Sequence, residues 1–233
     1  MKIKHGTSTP IPAKIPVNEE LCRFLGYYVS EGYYSLTGKA GGLVIITNSN
    51  EKILQDVIEL SKKLFGITPK TREVHGAGYS TQVQLHSAPL ALLIKALECG
   101  RTCTEKRIPP IIFGLSQEKI NAFLKTLYSG DGSFSASKNG GNMIRYHTTS
   151  KKLAEDVAYL LLTQGIVGKI YETIIAKPNS HNLWTVEFKE REYVEKFLKN
   201  IEFAHKNPQM IIHKCSHSES NSVAFTKQTL AQH

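Results

Sequence analysis

Apolar residues return along this chain in two rhythms, and the rhythms alternate in the same order twice. Asn18, followed by Glu19 and Glu20, opens a helical run that reaches about Glu31, with acids in the first turn where the helix dipole favours them. Period-two stretches over 33 to 38 and 43 to 48 predict a hairpin that turns at Gly38-Lys39-Ala40-Gly41-Gly42. Ile53, Leu54, Val57, Ile58 and Leu60 make one stripe of a helix from about Asn50 to Phe65, which stops at Gly66. Strands over 69 to 75 and 79 to 86 meet around Gly76-Ala77-Gly78. Ser87 then caps a short apolar helix to about Leu97, with Pro89 tolerated in its first turn. The order repeats as helix 117 to 130, strands 133 to 138 and 142 to 148, helix 150 to 164, strands 168 to 176 and 182 to 188, and helix 190 to 201. Each copy reads αββαββα, so the expected class is α+β with two pseudo-symmetric subdomains, each built on an antiparallel sheet.

The repetition extends to single residues. Ser35 answers to Ser135, Gly41 to Gly141, Lys52 to Lys152, Asp56 to Asp156, Val57 to Val157 and Leu60 to Leu160, all 100 positions apart. The second copy then loses one residue, since Phe65-Gly66-Ile67 corresponds to Gln164-Gly165-Ile166. Later, Val83-Gln84-Leu85-His86 corresponds to Val186-Glu187-Phe188-Lys189, each followed by an apolar helix. A duplication of this length predicts two cores of ordinary size. The expected division is an extended arm over 1–17, a first subdomain over 18–98, a linker over 99–116, a second subdomain over 117–210 and a tail over 211–233.

The duplicated helices end alike, in Ser30-Glu31-Gly32 and Gly130-Asp131-Gly132. A carboxylate at a helix C-terminus faces the negative end of the macrodipole and gains little as a structural group. Two such acids, one per copy, are better explained as a matched pair of metal ligands.

Charge bears on the partner. The 233 residues carry 29 Lys and Arg and a net charge of +9, with the basic residues spread through both halves. That distribution suggests a long polyanion, the alternative being a basic protein with no nucleic-acid role. No apolar run approaches the ~18 residues of a membrane span, and Met1-Lys2-Ile3-Lys4-His5 leads into no hydrophobic region, so a soluble intracellular protein is expected, cytoplasmic, nucleoid-associated or organellar. Cys22, Cys99, Cys103 and Cys215 make no zinc spacing and are expected to be reduced thiols.

Alternation gives each strand one apolar and one polar face. Tyr34 and Leu36 alternate with Tyr33, Ser35, Thr37 and Lys39, and Phe134 and Ala136 with Ser133, Ser135, Ser137 and Asn139. Gln82, Gln84 and His86 oppose Val83 and Leu85, while Thr185, Glu187 and Lys189 oppose Trp184, Val186 and Phe188. Lys70, Arg72, Arg145, His147, Lys169, Tyr171 and Thr173 join the polar side. One wet face is usual for an antiparallel sheet. These side chains nevertheless suit base edges and phosphates, and a β-ribbon fits the major groove.

The paired helix endings, their spacing and the αββαββα order after each resemble the LAGLIDADG homing endonucleases in their single-chain, two-motif form, over about Glu19 to Met210. Neither motif is literal; the second has Thr126 where glycine is usual. The resemblance implies that the motif helices pack together through Gly26 with Ser30 and Thr126 with Gly130, and that the sheets form a saddle on double-stranded DNA. It implies that Glu31 and Asp131 hold Mg²⁺, aided by the backbone at Ser30 and Gly130, with Mn²⁺ able to substitute and Ca²⁺ binding without cleavage. Cleavage of both strands would leave 3′ overhangs. Lys106-Arg107-Ile108-Pro109 is similar to a Lys-x-Ile-Pro segment of intein-type members whose lysine lies in the active site, and Lys206 stands 100 residues on. A solvated surface ammonium is the alternative for both lysines. The other readings of the fold are an RNA-splicing maturase and a non-cleaving DNA-binding regulator. With Met1 first and Ala231-Gln232-His233 last, the chain lacks the terminal residues of self-splicing, so a free-standing enzyme or an excised endonuclease domain, acting as a monomeric pseudo-dimer, is expected.

Overall fold

A computed structural model of the chain describes residues 8–36, 41–75, 79–136, 142–176 and 180–204. The first repeat runs α1 (Glu19–Glu31), β1 (Gly32–Ser35), β2 (Leu43–Asn48), α2 (Glu51–Phe65), β3 (Lys70–His75), β4 (Tyr79–Leu85) and α3 (Ala88–Ala96). The second runs α4 (Gln117–Asp131), β5 (Gly132–Ala136), β6 (Asn142–Thr148), α5 (Lys151–Thr163), β7 (Lys169–Thr173), β8 (Leu183–Phe188) and α6 (Arg191–Asn200). Each repeat holds one four-stranded antiparallel sheet, ordered β1-β2-β4-β3 and β5-β6-β8-β7. The α+β architecture with two matched halves is as the periodicity predicts.

Local chemistry sets the element ends. The side chains of Asn18, Asn50, Ser87 and Ser150 accept from the backbone N–H groups of Leu21, Lys52, Leu90 and Leu153, which supplies partners for otherwise orphaned helix donors. α1 and α4 end differently, because the next residue is already the first of a strand: the N–H of Gly32 donates to Tyr28, and that of Gly132 to Tyr128. Both repeats close on a non-glycine residue in the left-handed region, Glu98 at φ 57° and Glu202 at φ 62°. Two strands are shorter than their alternation suggests. β1 pairs with β2 only from Gly32 to Ser35, and β7 stops at Thr173 because β8 begins opposite it at Leu183. Residues 37 and 38 of the expected first strand, 137 and 138 of its counterpart, and the loop residues 38–40 and 76–78 lie outside the described residues. A 3₁₀ turn at Pro110–Gly114 was not expected from the pattern.

The two repeats meet through α1 and α4, the most extensively packed helix pair. Backbone approach there is close. A Cβ on Gly26 would lie 2.1 Å from Thr126 Oγ1 and 2.5 Å from the Phe123 carbonyl, and one on Gly130 would lie 2.7 Å from Ser30 Cβ. Gly26 faces Thr126 and Ser30 faces Gly130, so each contact joins a glycine of one motif to a small hydroxyl residue of the other. Around this seam Phe24, Leu25, Tyr28, Phe123, Leu124, Leu127 and Tyr128 are fully buried, continuous with the cores under both sheets. Residues before α1 add Ile11, Ile15 and Val17 to the edge of that core. Cys22 and Cys99 are buried free thiols, and Cys103 is exposed.

Overpacking a seam of this kind costs about 1–3 kcal/mol. Gly26→Ala is expected to lower stability by that amount in urea unfolding, whereas Gly114→Ala, with nothing within 4 Å of the added carbon, should be close to neutral. Adding Thr126→Gly to Gly26→Ala should recover part of the loss. Equal effects at Gly26 and Gly114 would contradict the close packing.

Candidate active site

Because α1 and α4 run side by side and end in step, their last residues come together. Glu31 Oε1 lies 3.0 Å from where a Cβ on Gly130 would stand, next to Asp131, so both carboxylates share one end of the helix seam. β1 and β5 begin at the residue after each acid, so both sheets start at this point and spread outward to β3 and β7 as far edges. Ser30 and Gly130 pack against each other here, with Ser30 Oγ 3.2 Å from the carbonyls of Gly26 and Tyr27.

The pair is electrostatically strained. Burial pushes both carboxyls above their usual range, and the neighbouring Glu31 adds to the rise at Asp131, which is held at about 7. Partial relief comes from different partners in the two halves. Asn48, the last residue of β2, donates to Glu31 Oε1 at 2.9 Å. Asp131 has a long contact of 3.5 Å from the Tyr146 hydroxyl. Thr148, at the position matching Asn48, is buried and instead accepts the N–H of Ser150.

Lys106 is the third member and is no surface lysine. Its side chain is 4% exposed, Nζ donates to the Tyr28 carbonyl at 2.7 Å, and the ammonium sits 3.7 Å from the centre of the Tyr28 ring. The C-terminal end of α1 therefore holds it, as helix carbonyls hold cations. Burial draws its pKa down to about 7. The buried Cys99 thiol, pushed up to about 12, is neutral, so Asp131 and Glu31 are the groups whose charge opposes that fall. The segment between the repeats is clamped to make this contact. Ser150 Oγ donates to the Lys106 carbonyl at 2.6 Å, Asp156 accepts the Ile108 N–H at 3.2 Å, and the Tyr28 hydroxyl donates to the Gly100 carbonyl at 2.9 Å. The second repeat thus positions a lysine that reaches the helix end of the first.

The open faces of the sheets carry the other expected residues. Register aligns Tyr33, Ile45, Gln84 and Lys70 across the first sheet, with Thr47, Gln82 and Arg72 in the next row. It aligns Ser133, Arg145, Glu187 and Lys169 across the second, followed by His147, Thr185 and Tyr171. Ser35 and Ser135 stand on the first strand of each sheet, His86 and Lys189 follow β4 and β8, and Thr173 ends β7. Thr185 departs from the expected wet face: it is 2% exposed, with Oγ1 3.1 Å from His147 Nδ1, because neighbouring side chains close over it. Thr37, Lys39, Ser137, Asn139 and Lys206 lie outside the described residues. Three further participants were given no role by the sequence. Asn48 stands at the end of the second strand, with Thr148 as its counterpart, where some members of the resembling family place a basic or amide residue; Tyr146 reads as an ordinary core aromatic, and Arg101, which donates to the Tyr33 hydroxyl at 2.6 Å, lies in a linker with no pattern.

A LAGLIDADG-like domain model matches residues 18–98 and 118–202, which is one match per repeat and most of the chain. The chain belongs to the LAGLIDADG family. Among sequence relatives it is 34% identical over 171 residues to an uncharacterised protein of Methanocaldococcus jannaschii, covering 70% of this chain and 19% of that one. It is 36% identical over 156 residues to a DNA polymerase of Thermococcus aggregans, covering 65% of this chain and 8% of that one. The chain thus spans under a fifth of the length of either relative. Its fold is like that of the homing endonuclease I-DmoI in complex with DNA and Mn, with TM-score 0.56, 20% identity, and 82% and 100% of the two chains covered. It is equally like the N-terminal LAGLIDADG domain of WhiA, with TM-score 0.56, 13% identity, and 84% and 88% covered.

The strain at Asp131 has a consequence for stability. A carboxyl whose folded pKa lies above its unfolded value of 3.8 binds its proton more tightly when folded, so stability is lost as pH rises from about 4 to 7. Asp131→Asn removes a group that faces Glu31, Tyr146 and Lys106. It should raise the melting temperature of the metal-free protein at pH 7.5 by roughly 3 °C or more. The gain should be smaller at pH 5, where the carboxyl is already protonated. An equal gain at both pH values would contradict the strain.

Proposed function

We propose that this LAGLIDADG protein is a site-specific DNA endonuclease that breaks both strands of a long duplex in a reaction requiring a divalent cation. The observation that carries the proposal is the convergence of Glu31 and Asp131 at the end of one helix seam, both intact, with Lys106 buried beside them. Two carboxylates forced together at the negative ends of two helices are unfavourable in themselves and become favourable when a cation lies between them. Among the described residues no cluster of three or more His, Cys, Asp or Glu surrounds this point. So small a set of protein oxygens suits Mg²⁺, which retains waters and takes further ligands from phosphate, and Mn²⁺ fits the same set.

The chemistry supplied by a bound divalent ion would be activation of water and stabilisation of the leaving oxygen. The chain's own residues have separate tasks. Glu31 and Asp131 provide carboxylate oxygens, and the Asn48 amide fixes the orientation of Glu31. Lys106, fastened to the Tyr28 carbonyl, offers a preorganised positive charge to a phosphate drawn into the seam. The open sheet faces would lie along the duplex on either side, one half-site to each, so one chain suffices for both strands, with 3′ overhangs as the expected product. That the matched stretch forms a small part of a polymerase supports a module that moves between host genes.

The fold likeness to WhiA supports the alternative of a DNA-binding regulator without cleavage, and the maturase reading shares the same scaffold. What separates them from a nuclease is the acid pair, so the test acts there. With a duplex selected from a random library, Glu31→Gln or Asp131→Asn should abolish double-strand cleavage in Mg²⁺ while leaving binding in Ca²⁺ largely intact. Lys106→Met should slow single-turnover cleavage about 10²-fold or more at nearly unchanged affinity, the effect of losing one preorganised donor. Full cleavage by either acid variant would overturn the assignment, and tight binding by a wild type that never cuts would favour the regulator.

A further inference from the structure

The open face of the second sheet carries a carboxylate where phosphates are expected, and its contacts explain why. Glu187 is the direct register partner of Arg145, and its Oε2 accepts from Arg145 Nε at 2.7 Å and from the Tyr171 hydroxyl at 3.2 Å. That carboxylate oxygen is committed to neighbours on the sheet. Its effect on Arg145 is directional. The bond to Nε uses the inner edge of the guanidinium, and the Tyr171 hydroxyl lies within hydrogen-bonding reach as well; together they restrain the plane of the group and engage at most two of its five N–H donors. Arg145 remains 32% exposed, against 17% for Glu187, so the carboxylate is the more covered of the two and the guanidinium keeps donors open to solvent.

A fixed fork suits phosphate oxygens as well as a base edge; what favours a base is that Arg145 stands on β6, an inner strand of the open face, paired to β8 rather than at the sheet's rim. Two coplanar N–H donors presented end-on match the O6 and N7 acceptors on the major-groove edge of guanine. The duplication supplies an internal comparison. In the first sheet the same row reads Tyr33, Ile45, Gln84 and Lys70, so Ile45 stands where Arg145 does and Gln84 where Glu187 does. Gln84 turns to its own strand and donates to Gln82 at 2.9 Å. Nothing in that row can present a fork; Ile45 offers methyl groups, which suit the methyl of thymine.

We infer that Arg145, held by Glu187 and Tyr171, is a specificity-determining residue that reads a guanine in the half-site lying on the second sheet, and that the matching position of the other half-site is not read as guanine. The inference rests on the reading of the open faces as DNA-binding surfaces. Glu187 is then a positioning residue, acting on the base only through Arg145. The same arrangement makes the target asymmetric although the scaffold is nearly two-fold.

Binding selection from a randomised duplex library in Ca²⁺, which does not depend on cleavage, tests this. The wild type should yield a long motif with one strongly preferred guanine that responds to Arg145. Arg145→Gln should weaken that single preference by about tenfold to a hundredfold and leave the other positions as they were. Glu187→Ala should blunt the same position, and Glu187→Gln, whose amide oxygen still accepts from Nε, should restore part of it. The double variant Ile45→Arg with Gln84→Glu should create a guanine preference at the matching position of the other half. A fall in affinity that is uniform across sequences in Arg145→Gln would make Arg145 a phosphate contact and overturn the inference while leaving the DNA-binding reading intact. Recovery of no motif at all would overturn both.

Discussion

The close approach of α1 and α4 governs the rest of the molecule. Two helices can come this near only where small residues meet, and Gly26 against Thr126 with Ser30 against Gly130 provides that at two successive turns. Once the seam is set, the helices end in step, and the acids that terminate them have nowhere to go but toward each other. Each sheet begins at the following glycine, so the site and the surfaces beside it share one origin. The arrangement costs stability. Burial and mutual repulsion raise the carboxyl pKa values, and only one hydrogen bond from Asn48, a long contact from Tyr146 and the charge of Lys106 oppose that rise. Strain of this kind is expected where function, rather than folding, selects the residues.

Much of this is readable before any coordinates, because periodicity and duplication are local properties. The acid pair, the order of elements and the caps at Asn18 and Ser87 follow from spacing and residue type alone. What escaped the sequence depends on tertiary placement. The Lys-x-Ile-Pro resemblance marks Lys106 but not its burial, which depends on the clamps from Ser150 and Asp156 that accompany its inward turn to Tyr28. Thr185 alternates correctly with Val186 yet is covered by its neighbours, and Asn48 reaches Glu31 only because β2 runs back beside the end of α1. Strand ends were misjudged for a related reason: alternation continues past the point where a partner strand exists.

The two halves have kept their frame and diverged in their chemistry. Asp56 receives Arg23 and the Tyr27 hydroxyl and ties α2 to α1, whereas its counterpart Asp156 holds the linker at Ile108. Asn48 supports Glu31, while Thr148 caps its own turn and leaves Asp131 to Tyr146. Lys106 is bonded to the helix end of the first repeat, at the Tyr28 carbonyl, while its charge acts on the acids of both. A two-fold scaffold with such unlike furnishings is suited to a target whose halves differ and to acids whose surroundings differ strand by strand.

In the proposed reaction, one acid pair at a helix seam makes a single cutting centre for both strands. Sequencing the ends of products released from a randomised duplex library by the wild-type chain and Mg²⁺ tests it most directly. Both strands should be broken within one short window at the middle of one long motif, with the 3′ ends overhanging. Breaks confined to one strand, scattered along the motif, or absent although the motif is bound would contradict it.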